Sequence, residues 1–134
     1  MIDPANVPEV AAGELLARFI FFSNHFRPGD KTVKPNAFLP PANLLCSVTR
    51  HFEATENELW SVGEGVASKR DVTLYGRGDI RAGTCIRQRL VVSKDPIPEN
   101  PNHANVCGWP ADKPAQKIIA QELAAAASLV LRPD

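Results

Sequence analysis

Proline constrains this chain more than any other residue. Twelve prolines occur in 134 residues, ten of them gathered at Pro4 and Pro8, from Pro28 to Pro41, and from Pro96 to Pro110. Each fixes φ and removes an amide donor, so regular structure is interrupted at these positions. The clusters at 28–41 and 96–110 are read as loops, and long ordered loops are where function tends to sit.

The remaining segments are periodic. "ELLARFIFF" (14–22) ends in large apolar residues, and Phe19 to Phe22 suit a buried strand. "NLLCSVTRHF" alternates, with Leu45, Ser47, Thr49 and His51 on one side and Cys46, Val48, Arg50 and Phe52 on the other, as a strand does. "TENELWSVGEGVASKR" opens with Thr55 and Glu58 at capping-box spacing and closes with Lys69 and Arg70, which complement the helix dipole. Leu59, Val62, Gly63 and Val66 form its apolar face, with Trp60 at the edge.

"DVTLYG" reads as a short strand, and Asp79 as the cap of a short helix ending near Arg87. "RLVVS" and "HANVCGW" read as strands. Asp112 caps a last helix, with Pro114 in its first turn and Ile119, Leu123, Ala126 and Val130 along its buried face. The expected fold is α+β, one globular domain over 1–134, with a small mixed sheet carrying about three helices.

Composition narrows the class. The chain has 15 basic and 15 acidic residues. Net charge therefore points to no nucleic-acid or membrane partner. No apolar run approaches the ~18 residues of a membrane span. The acidic, proline-bearing start does not resemble a secretory signal. Cys46, Cys85 and Cys107 are odd in number and widely spaced, which suits free thiols in a reducing compartment. A cytoplasmic protein without cofactor or metal is expected.

Three stretches carry candidate chemistry. From Lys69 to Lys94, Arg77, Arg81, Arg87 and Arg89 lie near Tyr75, a combination suited to phosphate backbone. Its plainer reading is a solvated face paired with the acidic stretch Glu53, Glu56, Glu58 and Glu64. "YGRGDI" places Gly76 and Gly78 before Asp79, where a helix-terminal anion nest could form, although Asp79 would compete for its amides.

The third stretch is "NPNHANVCGWP", 100–110. On a strand, His103, Asn105 and Cys107 share a face, but the His103 and Cys107 Cα atoms then lie roughly 13 Å apart, too far for a nucleophile–base pair. Asn100, Asn102, His103 and Asn105 supply more hydrogen-bonding groups than turns require, which is the profile of a recognition loop. The leading functional expectation is a non-enzymatic binding module acting with a protein partner. Its contacts would be Asn102, His103, Asn105, Arg77 and Arg81, with Trp60, Trp109 and Phe38 as exposed apolar anchors. Nucleic-acid or nucleotide binding through 69–94 is the alternative, and a small cysteine-dependent enzyme the second alternative.

Overall fold

The computed structural model describes residues 1–133. The main sheet has six strands: β1 (Leu15–Ile20), β4 (Cys46–Arg50), β5 (Gly76–Arg81), β6 (Val91–Lys94), β7 (His103–Cys107) and β8 (Ser128–Leu131). Their order is β6-β7-β4-β1-β5-β8. A two-stranded ribbon, β2 (Phe26–Arg27) with β3 (Thr32–Val33), lies in the first long proline loop. The helices are α1 (Glu56–Arg70), α2 (Ala82–Arg87) and α3 (Lys113–Ala126). The fold is α+β, with three helices as expected. Every strand pair is antiparallel, so the sheet is not the mixed one expected.

The register sorts the sheet into two unlike faces. Leu16 stands opposite both Ile80 and Arg50, Val48 opposite Ala104, and Cys46 opposite Val106. These residues share one face, and the apolar ones form the main core with Phe38, Ala82, Cys85, Trp109, Ala120 and Leu123. The next residue along each strand points the other way. That second face carries Ala17, Phe19, Ser47, Thr49, Arg77, Asp79, His103 and Asn105. It is mostly polar, and α1 crosses it.

Both long helices begin where their caps are read. Thr55 accepts from the Glu58 amide while the Glu58 carboxylate accepts from the Thr55 amide. Asp112 accepts from the Ala115 amide. The buried stripe of α1 is rotated from the one expected, because Leu59, Trp60, Gly63 and Ala67 are buried while Val62 and Val66 are only half-buried.

Three other expectations are corrected. Residues 71–75 are a connection, and β5 runs from Gly76 through Asp79 to Arg81, so Asp79 caps no helix and α2 starts at Ala82. Ladders on both sides hold this segment extended. Its glycines serve close packing, not an anion nest. A Cβ on Gly76 would stand 2.5 Å from the Val130 carbonyl oxygen, and one on Gly78 3.3 Å from Val33 Cγ2. The last helix stops at Ala126, and Val130 belongs to β8, which pairs along the free edge of β5. The first strand begins at Leu15, four residues before Phe19.

The N-terminal segment is strapped down from within. Arg50 is fully buried; its guanidinium bonds both Glu14 carboxylate oxygens at 2.7 and 2.8 Å and donates to the Pro8 and Glu9 carbonyls. Burial opposes the Glu14 charge, but Arg50 and the Ala11 amide together hold its carboxyl below the usual range. Asn102, also fully buried, accepts from the Ile2 amide and donates to the Arg50 and Phe52 carbonyls.

Candidate functional site

Where α1 crosses the polar face it covers only part of it. Between its uncovered flank and strands β1, β4 and β7 lies a cleft of about 330 Å³. Val62, Gly65, Val66 and Lys69 form one wall, one helical turn apart in pairs, so they share a flank. Ile97, Glu99 and Asn100 from the β6–β7 loop form the other wall. Phe19, Ser47, Val48, Thr49 and Arg18 lie at the floor.

The floor exists because the sheet opens there. β1 and β4 pair at Leu16–Arg50 and Ala17–Thr49 only. A continued ladder would bring Phe19 to Ser47. Instead the Arg18 guanidinium enters the gap, with Nη1 donating to the Ser47 carbonyl at 2.8 Å and Nε to the Ala37 carbonyl at 2.8 Å. Its Nη2 makes no hydrogen bond among the described residues. No buried side-chain nitrogen there is without a partner, so Nη2 reaches solvent. Arg18 is thus a cation held rigidly by two backbone carbonyls with one donor group uncommitted.

His103 closes one end of the cleft. Its Nδ1 lies 3.0 Å from the Asp95 carbonyl and 3.1 Å from Asp95 Oδ2. Both are acceptors, so Nδ1 carries the hydrogen. Asn105 donates to the same Asp95 Oδ2 at 3.0 Å. Beside them Asn100 donates to Thr49 Oγ1 at 3.0 Å, which leaves the Thr49 hydroxyl hydrogen free to donate. At the mouth, Lys69 and Glu99 approach to 3.5 Å, and the Arg70 guanidinium sits 5.6 Å over the Phe21 ring.

Of the residues expected from sequence as partner contacts, only His103 lines this cleft, joined by Asn100 from the same 100–110 stretch. Asn105 shares Asp95 with His103. Asn102 is an internal clip, and the surplus of polar groups at 100–105 goes largely into buried hydrogen bonds. The expected exposed anchors are corrected, because Trp60 is 6%, Trp109 5% and Phe38 2% exposed. Trp109 is core, its Nε1 donating to the Val106 carbonyl. The Trp60 ring lies between Arg77 at 4.7 Å and Arg132 at 5.3 Å.

The basic stretch does not form one surface. Arg77 is buried and bonds Glu56 twice, at 2.8 and 2.9 Å, and Asp79 once, at 3.0 Å. His51 Nε2 meets the same Asp79 oxygen at 2.9 Å. The Arg77 guanidinium beside Glu56 holds that carboxyl below its usual range. Arg81 is exposed and donates to the Gly13 carbonyl, and Arg87 donates to Thr84.

All three cysteines are free. Burial pushes the Cys46 thiol up and the Cys85 thiol to about 12. The Cys107 sulfur has the Val91 carbonyl at 3.5 Å and Ser93 Oγ at 3.8 Å as polar neighbours. Among the described residues no three of His, Cys, Asp and Glu are grouped to hold a metal ion, and no helix is long and apolar enough to cross a membrane.

Sequence reasoning missed Arg18, Val62, Gly65 and Val66. A signal existed for Arg18, the lone charge inside "LLARFIFF". A comparison with protein-family models, with curated proteins and with solved structures finds no match for this chain.

Proposed function

We propose that this protein is a non-enzymatic recognition module, and that the cleft beside α1 receives an apolar group of a protein partner. The cleft itself carries this reading. It is preformed, mostly apolar along Phe19, Val48, Val62, Val66 and Ile97, and ringed by Arg18, Lys69, Glu99 and His103. A concave apolar pocket with a few fixed polar groups is the usual form of a binding site. Its volume suits one or two side chains of a partner, and a pocket filled by such anchors concentrates binding energy. Nucleic acid is the weaker reading, since Arg77 is internally neutralised and Arg81 and Arg87 already have intramolecular acceptors.

The test is photo-crosslinking in source cells. A photo-reactive amino acid at Gly65, on the cleft wall, is expected to trap a discrete protein species. The same group at Ile118, exposed on α3, serves as the control. Equal trapping from both positions, or none from Gly65, would remove the cleft as the recognition site.

A further inference from the structure

We infer that the group received by the cleft is an apolar side chain with a carboxylate next to it, carried on an acidic segment of the partner protein. This rests on the partner reading above and specifies the chemistry the cleft selects. Three observations support it.

The first is Arg18. It brings a permanent cation to the lining of the cleft. Two of its nitrogens are satisfied by backbone carbonyls, and Nη2 is free. The two carbonyl bonds hold the guanidinium in place, so its charge is fixed relative to the cleft.

The second is the charge balance. Arg18, Lys69 and Arg70 line the cleft against one carboxylate, Glu99. Glu99 engages Lys69 only at 3.5 Å, with both side chains mostly exposed, so the pair is easily exchanged for a ligand carboxylate. The excess is cationic and suits an anion; a basic segment would meet like charge.

The third is Gly65. A glycine inside a helix destabilises it relative to alanine. Here a Cβ would meet nothing within 4 Å, so no neighbour in the fold requires the glycine. An occupant lying against the helix backbone would use that open space. Gly65 stands on the cleft wall between Val62 and Val66, where a backbone-close approach would occur.

The experiment uses the full chain, 15N-labelled, titrated with acetyl-Leu-Leu-Asp-Leu-amide and with the same peptide carrying Asn or Lys in place of Asp. The acidic peptide is expected to shift the amide signals of Ser47, Val62, Gly65 and Val66 and to bind roughly tenfold tighter than the Asn peptide, the factor for a charge-assisted hydrogen bond. Gly65→Phe, which fills open space, should abolish binding of every peptide while the protein stays folded. Arg18→Met should erase the preference for Asp over Asn. Because Arg18 also ties β1 to β4 and its loss could unfold the chain, Lys69→Met, at a largely exposed position, should reduce the same preference.

Equal binding of the Asp and Asn peptides, tightest binding of the Lys peptide, or shifts mapping away from the cleft would overturn the inference. Octanoate shifting the cleft signals while no peptide does would also overturn it, assigning the site to a small free carboxylate. If crosslinking from Gly65 traps a partner but the peptides show no charge preference, the partner reading stands and only this inference falls.

Discussion

On one flank of α1, Gly63 lies so close to the sheet that a Cβ would stand 2.8 Å from Leu74 Cδ2 and 2.9 Å from Phe19 Cε1. On the other flank, Gly65 has nothing within 4 Å of the same position. The residues one turn away follow the same division. Trp60 and Ala67 join Leu74, Phe21 and Val130 in a small core. Val62, Val66 and Lys69 line the cleft. A helix on a largely polar sheet face cannot be buried on both sides, because Ser47, Thr49, His103 and Asn105 offer it no apolar surface. It is therefore anchored along one edge, where Phe19 and Val130 emerge from that face. Recognition is possible on the far edge because the near edge holds the helix in place.

The division predicts unequal responses to substitution. The largest belongs to Trp60, nearly buried and flanked by Arg77 and Arg132. Trp60→Ala should lower unfolding free energy by about 3–5 kcal/mol. Urea unfolding followed by far-UV dichroism measures this. A loss below ~1 kcal/mol would mean that α1 is not anchored here. Gly63→Ala is next. Its methyl meets side-chain atoms inside contact distance, and overpacking of this kind costs about 1–3 kcal/mol. A neutral result in the same assay would show that Phe19 and Leu74 move aside freely, and the packed edge would then be softer than the contacts imply.

The anchored edge was partly legible in the sequence and the open edge hardly at all. Capping chemistry is local, so Thr55–Glu58 and Asp112 with Pro114 mark both long helices without tertiary information. Alternation is also local, and it places His103, Asn105 and Cys107 on one face. The rotated stripe of α1 was not legible, because Val62 and Val66 are as apolar as the residues that are buried. Whether an apolar side chain meets a partner strand or an empty cleft depends on strands outside the helix, with β1 and β7 far from it in sequence. The same limit applies to Asn100 and Asn102, since an amide that bonds buried backbone reads like an amide that awaits a ligand. Asp79 was misplaced because a capping residue and a strand carboxylate look alike until β1 and β8 are seen on either side of it. β8 was absorbed into the alanine-rich helix because its strand character comes from the edge it completes.

Gly65→Ala should act in the opposite direction to Gly63→Ala and more weakly. The new methyl meets no neighbour, and the helix gains about 0.5–1 kcal/mol from the restricted unfolded chain. Thermal unfolding of the two variants side by side checks the sign. If Gly65→Ala destabilises, the flank is not open, and the cleft loses its wall. If it stabilises the protein and weakens partner binding at the same time, stability and recognition compete at this one position.

The smallest effect is electrostatic and lies at the first turn of α1, on the anchored edge. Glu56 receives two hydrogen bonds from Arg77, which holds its carboxyl below the usual carboxylate range. A carboxylate whose folded value is depressed contributes stability above its unfolded value and loses it as pH falls through the folded one. The contribution should therefore be complete at neutral pH and fade below about pH 4.5, near the usual carboxylate value. The Glu56 side chain is 64% exposed, so screening keeps the gain under about 1 kcal/mol. Glu56→Gln keeps the shape and removes the charge. Its stability deficit, measured by urea unfolding at several pH values, should be largest near neutrality and shrink in acid. A deficit that stays constant with pH would mean that the Gln variant loses hydrogen-bond geometry and not charge. Arg77 would then owe its place to Asp79 and the Trp60 ring, and the edge that anchors α1 would be held by packing alone.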